Sequence, residues 1–300
     1  MQLIVDVPRN SLGHPPRTLF GYEVLSFLGE GASSAVYAVT DPATGQVYAL
    51  KHVLRKDDKH QRFIDQLVNE FEVSKKVNHP NVRKCVEFKT AKTMLLTVTE
   101  AVLVMELVDA HPLDDELLEK AGPNGAQSDL AWTLHVMTQA ARGMAAIQVA
   151  GFVHCDMKPG NIMICPGEAC KVIDLGQACV SGTVKKRIQG SPHFISPEQF
   201  KLEPVTFRTD VFNFGATLYW ALAGRHVSTH YTRAKGLTKG PAEDSPTPAD
   251  LRPGVPLDLS ELTMHCLRSK VLERPESMSE VANRLEAIRL SSAQANMAVA

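Results

Sequence analysis

From Tyr22 to Leu54 apolar residues come in short runs: Val24, Leu25, Phe27 and Leu28, then Ala35, Val36, Tyr37 and Val39. Glycines and the segment Asp41-Pro42-Ala43-Thr44-Gly45 break them, which predicts strands joined by tight turns. The period then lengthens. Ile64, Leu67, Phe71 and Ser74 recur at helical spacing with charges between them, so a helix is expected from Phe63 to Val77. Strand-like runs return at 86–88, 95–99 and 101–107. Beyond them helical spacing dominates. Leu130, Leu134, Met137, Ala141 and Met144 form a stripe on a helix from Ser128 to Gln148, preceded by a loop at 121–125. Asp210 to Ala223 is apolar on nearly all sides and predicts a buried helix. The stretch 226–256, rich in Pro, Gly and Thr, predicts a long, partly helical surface excursion. A last helix starts at Ser277, with Glu280 closing a capping box, and buries Met278, Val281, Leu285 and Ile288. Residues 1–20 are expected to be an N-terminal extension, with Pro15-Pro16 blocking helix, and 291–300 a flexible tail. The class is α+β: a small sheet with one main helix, then a larger helical part.

Composition narrows the roles open to this chain. Its 300 residues suit one large domain or two lobes around a cleft, and 44% hydrophobic residues support a full core. A net charge of -1 argues against a general nucleic-acid or membrane-surface binder, since both need a basic field. Six cysteines are scattered without a C-x-x-C pair, and Cys165, Cys170 and Cys179 miss zinc spacing. Reduced thiols and a cytoplasmic location are therefore expected. The N-terminus lacks the basic and apolar regions of a signal peptide, and no apolar run is long enough to cross a membrane.

The densest chemistry lies in His154-Cys155-Asp156-Met157-Lys158-Pro159-Gly160-Asn161, followed by Ile173-Asp174-Leu175-Gly176. A lone Asp or Asn in a loop is usually a turn former. Two carboxylates, an amide and an ammonium together exceed what a turn needs. An amide oxygen with a nearby carboxylate can hold magnesium, which leaves one Asp free to accept a proton. Phosphoryl transfer from a nucleotide requires such a set.

Read in order, the motifs from about residue 20 to 290 resemble those of eukaryotic-type (Hanks-type) serine/threonine protein kinases, in variants closer to the bacterial members. The resemblance implies a two-lobed fold over 21–290, with a β-rich N-lobe at about 21–107 and a helical C-lobe at about 108–290. It implies ATP and Mg2+ as cofactors, with Mn2+ as an alternative ion, and Ser/Thr hydroxyls of proteins as acceptors. Leu28-Gly29-Glu30-Gly31-Ala32-Ser33-Ser34-Ala35-Val36 is similar to the family's phosphate-covering G-x-G-x-x-G-x-V loop, with Ser34 replacing the third glycine. Val36 is then the residue over the adenine ring. Ala49 and Lys51 in Tyr48-Ala49-Leu50-Lys51 resemble the strand whose lysine touches the α- and β-phosphates. Glu70 is the lysine's expected partner, with Glu72 as the competitor on another helix face. Met105, Glu106 and Val108 resemble the gatekeeper and the adenine-binding backbone of the hinge, although a plain core strand accommodates the same residues. By the same resemblance Asp156 is the catalytic base, Lys158 neutralises the γ-phosphate, and Asn161 and Asp174 hold the metal.

Further along, Gly190 to Glu198 resembles the end of an activation segment, with Ser191 expected on Asp156 and Lys158. Glu198 is expected to pair with Arg274, and Asp210 and Gly215 to anchor the catalytic loop. Ser181 and Thr183 are candidate autophosphorylation sites beside Lys185-Lys186-Arg187. Cys155 replaces an arginine that commonly grips an activation-segment phosphate, Leu175 replaces the Phe of D-F-G, and Ser196 replaces the Ala of A-P-E. The departures at Ser34, Cys155 and Leu175 motivate a second reading, a non-catalytic pseudokinase scaffold. A third is a small-molecule phosphotransferase, against which stand Lys158 and the 190–198 segment. Oligomeric state leaves no mark in the sequence.

Overall fold

The computed structural model describes residues 17–31, 33–93, 97–121 and 129–299. Most of the expected N-terminal extension, Ala32 of the glycine loop, the first residues of the 95–99 run, the loop at 122–125 and Ser128 lie outside them. Contacts divide the chain into two compact units: one running to Lys76 and resuming over Arg83–Asp109, the other taking Val77–Val82 and everything from Ala110.

The first unit is a β-sheet with one long helix. Its elements are β1 (Thr18–Leu19), β2 (Tyr22–Gly31), β3 (Ser34–Thr40), β4 (Val47–Leu54), α1 (Gln61–Ser74), β5 (Cys85–Lys92) and β6 (Val98–Glu106). The strand order is β1-β2-β3-β4-β6-β5, with every pairing antiparallel. The period of two sends alternate residues to opposite faces. Tyr37, Val39, Leu50, Val102 and Val104 pack on one face. Val53, Ala101 and Leu103 pack on the other, against Ile64 and Leu67 of α1. The end of the 95–99 run, from Val98, and most of the 101–107 run merge into the single strand β6. Glu100 interrupts the apolar pattern without breaking the strand, because its carboxylate meets the imidazole of His52 on β4.

The second unit is mostly helical. It contains β7 (His111–Pro112), α2 (Leu113–Ala121), α3 (Leu130–Val149), β8 (Phe152–Val153), β9 (Ile162–Ile164), β10 (Cys170–Val172) and β11 (Cys179–Val180). These are followed by α4 (Pro197–Lys201), α5 (Phe207–Ala223), α6 (His230–Ala234), α7 (Pro248–Leu251), α8 (Leu257–Cys266) and α9 (Met278–Val299). The expected buried helix is α5, whose faces meet α3, α8 and α9. Asp129 caps α3 by accepting from Ala131 N–H at 2.9 Å.

Three expectations need correction. The 226–256 stretch is less superficial than its composition suggests: Val227 and Ala242 join the apolar cluster around Phe212 and Tyr219, and Thr229 and Thr232 are buried. The capping box of α9 is half formed. Ser277 Oγ accepts from Glu280 N–H at 3.3 Å, but the Glu280 carboxylate accepts from Glu276 N–H rather than Ser277 N–H. Last, 291–299 is helical where a loose tail was expected. No Gly or Pro stops the helix there, and Ala, Gln and Met favour its continuation. Among the described residues no helix is long and apolar enough to cross a membrane.

Gly215 shows how tightly the second unit is packed. A Cβ added there would lie 2.5 Å from Cys266 Cβ on α8. We expect Gly215→Ala to destabilise by about 1–3 kcal/mol through overpacking, against the roughly 0.5–1 kcal/mol that Ala ordinarily gains in a helix. Thermal unfolding monitored by circular dichroism reads the difference; an unchanged or raised melting temperature would contradict the packing argument.

Candidate active site

In the first unit the glycine loop is the tip of the β2–β3 hairpin, where Gly29 pairs with Val36 and Gly31 with Ser34. The site residues on the following strands share one face, because residues directly opposite one another in antiparallel strands point the same way. Val36 stands opposite Lys51, and Lys51 opposite Leu103; Ala38 stands opposite Ala49, and Ala49 opposite Met105. This is the face on which α1 packs, so a side chain of α1 can reach Lys51. Glu70 does so: its Oε2 accepts from Lys51 Nζ at 2.9 Å. Glu72 turns away and pairs with Lys75 at 2.7 Å. Glu70 is buried, and a lone buried carboxylate is costly. A second cation meets that cost, since Arg83 donates to Glu70 Oε1 at 3.2 Å. Arg83 escaped sequence reasoning because no local spacing links it to Glu70. Glu106 ends β6, its N–H bonded to Lys84 O at 2.9 Å, and Met105 beside it is fully buried.

In the second unit the loop 154–161 is fixed by side chains from distant elements. Asp210 in the first turn of α5 is fully buried, and its two oxygens accept from the N–H groups of His154 and Cys155 at 2.9 and 3.0 Å. His154 Nδ1 accepts from Asp156 N–H at 3.2 Å, and Nε2 reaches the Ile173 carbonyl at 3.1 Å. The two bonds together require the Nε2–H tautomer. They tie the loop to the strand that leads into Asp174. Gln199 of α4 holds the other side by donating to the Cys155 carbonyl at 2.7 Å. Its own amide is oriented by Asn213, which donates to Gln199 Oε1 at 2.9 Å. Under these constraints Cys155 takes φ 68° and Asp174 φ 65°, left-handed conformations that cost non-glycine residues about 1–3 kcal/mol and persist only where surroundings impose them.

These anchors place Asp156, Lys158 and Ser191 together. Asp156 Oδ1 accepts from Ser191 Oγ at 3.0 Å, and Lys158 Nζ lies 4.0 Å from Oδ2. The expected bond from Ser191 to Lys158 is not formed. Gln177, three residues past Asp174, donates to Asp156 Oδ2 at 2.9 Å, a contact that no motif spacing pointed to. Burial raises the Asp156 carboxyl above the usual aspartate range, against the opposing pull of the Lys158 ammonium. A carboxylate raised in this way is a better proton acceptor than an ordinary one. Asn161 Nδ2 donates to the Asp156 carbonyl at 2.8 Å, which leaves the amide oxygen as the group offered outward. Asp174 Oδ1 accepts from Gly176 N–H at 3.4 Å. An amide oxygen and a carboxylate oxygen are hard donors of the kind magnesium takes together with substrate phosphates.

The pair expected between Glu198 and Arg274 is formed. Both are buried, with Nη1–Oε1 at 2.7 Å and Nη2–Oε2 at 2.9 Å. Leu175 packs in the interior, as its apolar character suggested.

The family profile described as protein kinase domain matches residues 22–284. The serine/threonine-protein kinase pkn2 of Myxococcus xanthus is 30% identical over 281 residues, covering 89% of this chain and 32% of the relative. PknA of Corynebacterium glutamicum is 28% identical over 273 residues, covering 90% of this chain and 56% of the relative. PknB of Mycobacterium leprae is 28% identical over 293 residues, covering 93% and 44%. The chain thus spans less than two thirds of the length of these curated relatives.

Proposed function

Since the chain belongs to the protein kinase domain family, we propose that it transfers the γ-phosphoryl group of ATP to serine and threonine hydroxyls of proteins, its own chain included. The transferase domain would be 21–290. The observation that carries the reading is Asp156, held by Ser191 and Gln177 on a loop whose backbone two oxygens of Asp210 fix. Each residue then has a role. Asp156 accepts the proton of the attacking hydroxyl. Lys158, the nearest ammonium to that base, offsets charge on the group in flight. Lys51, kept from wandering by Glu70 and with Arg83 behind, holds the α- and β-phosphates. Backbone N–H groups of the 28–34 hairpin cover the phosphates, Val36 and Ala49 enclose the adenine with Met105 behind it, and the backbone of Glu106 and Val108 binds its edge.

Asn161 and Asp174 would hold Mg2+, or Mn2+ in its place. When bound, the ion draws charge from the phosphate oxygens. Catalysis by such a set is chiefly positioning and charge neutralisation. No disulfide links the described cysteines, which supports a cytoplasmic setting.

The test incubates the purified chain with labelled ATP, magnesium and a generic protein substrate, beside Lys51→Met. Label on serine and threonine in the wild type, and at most ~1% of it in the variant, is the expected result. ATP bound without turnover would favour the scaffold reading. A phosphorylated metabolite without phosphoprotein would favour the small-molecule one.

A further inference from the structure

Two thiols lie against each other beside the base. Cys155 is buried immediately before Asp156, and Cys179 is half-buried on β11. Their Sγ atoms are 3.6 Å apart in a small apolar cluster with Val153, Val205 and Phe207. β11 pairs with β8, Cys179 standing opposite Val153, so backbone bonds hold the two sulfurs in register. We propose that Cys155 and Cys179 are a peroxide-sensitive pair whose disulfide ties the loop carrying Asp156 to β11 and slows phosphoryl transfer.

The chemistry balances with hydrogen peroxide as oxidant. The Cys179 thiolate attacks the O–O bond, giving a sulfenic acid and releasing hydroxide. The Cys155 thiol then attacks that sulfur: the S–S bond forms, the S–O bond breaks, and the departing hydroxide leaves with the thiol proton as water. The two sulfurs lose two electrons and the peroxide gains two.

The surroundings divide the roles of the two thiols. The hydrogen bond from the Cys155 thiol, with the Lys185 ammonium and the Thr183 hydroxyl beside it, lowers the Cys179 pKa to about 6 against the effect of burial. Cys155 is pushed the opposite way by its bond to Cys179, by burial and by Asp210. Burial also drives Cys85 up to about 11 and Cys170 and Cys266 to about 12. Thiolate is the reactive form, so peroxide meets Cys179 before these three, and Cys155 is the thiol within reach to resolve it.

The cost falls on Asp156. A disulfide needs sulfurs about 2.05 Å apart, so the pair must close by more than 1 Å. Cys155 can give little without moving: its N–H is held by Asp210, its carbonyl by Gln199, and its φ is already left-handed. Whatever part of that closure Cys155 takes up shifts the adjoining base, where an error of about 1 Å costs catalysis on the order of 100-fold.

This consequence rests on the transferase reading; the pairing does not. The purified chain is treated with peroxide, blocked with an alkylating reagent and digested without reduction, while transfer is measured before treatment, after it, and after dithiothreitol. A peptide linking 155 to 179, with transfer at least about tenfold slower and restored by reduction, is expected. Cys179→Ser should transfer like wild type and resist peroxide. Cys155→Ser should leave a sulfenic acid on Cys179 that dimedone traps. Absence of the linked peptide, over-oxidation of Cys179 without linkage, or equal inactivation of Cys179→Ser would overturn the proposal. A reduced wild-type chain without transfer would instead overturn the transferase reading, with the linked peptide still deciding the pairing.

Discussion

Asp156→Asn is expected to lower phosphoryl transfer by about 1,000-fold, within the range found on removing a positioned general base, while ATP affinity changes less than about threefold. The amide is isosteric with the carboxylate, so the loop keeps its shape. Asp210 still holds the backbone at 154 and 155, and an amide oxygen at position 156 still accepts from Ser191. The new NH2 group would face Gln177 Nε2, now a donor to Asp156 Oδ2. Rotation of the Gln177 amide relieves this by presenting Oε1, which is buried without a hydrogen-bond partner. What the variant loses is the capacity to take a proton. Steady-state transfer with a separate nucleotide titration separates the two quantities. Retention of more than about a tenth of the activity would remove Asp156 from the role of base.

The largest effect on stability is expected at Arg274. All five of its N–H groups are used. Nη1 donates to Glu198 Oε1 and the Arg208 carbonyl, Nη2 to Glu198 Oε2 and the Ser269 carbonyl, and Nε to the Arg268 carbonyl. The guanidinium also sits 4.9 Å over the Phe212 ring. Arg274→Ala would leave the Glu198 carboxylate buried with Thr209 as its remaining donor. Removing one partner of a buried ion pair costs about 3–5 kcal/mol. At about 2–4 °C per kcal/mol, the apparent melting temperature should fall by roughly 6–20 °C. Arg274→Lys should recover under half of this, because an ammonium cannot reproduce a planar five-donor fork. Adding Glu198→Gln to Arg274→Ala should soften the loss, since the uncompensated charge is gone. If the double variant is the less stable, or the single loses under about 1 kcal/mol, the pair is not the keystone its burial implies.

How much of this was legible in the sequence follows from the range of the interactions. The strands of the first unit from β2 onward and the helices α1, α3, α5 and α9 were readable because their periodicity is local; β1, two residues long, was not. Helix α2 was missed; it is short, and its signal is the acidic first turn Asp114, Asp115 and Glu116 after Pro112. The capping box of α4 was readable in principle, since Ser196-Pro197-Glu198-Gln199 fits the S-x-x-Q pattern. The candidate site divides in the same way. The motif residues stood out through their order along the chain. Arg83, Gln177, Gln199 and Asn213 did not, because each is a single polar side chain whose partner lies 13, 21, 44 or 14 positions away. No spacing rule reaches that far.

The two oxygens of Asp210 have one more consequence, for the timing of loop motion. The hydrogens of the His154 and Cys155 amides end on a carboxylate that solvent does not touch. Water can exchange them only when α5 parts from the loop, and α5 is packed among α3, α8 and α9. Local breathing of a segment has its own, smaller free energy only where few buried contacts hold it. By secondary structure this segment is a loop. By its opening free energy it belongs with the interior, and those two hydrogens are released no sooner than the helices around them come apart.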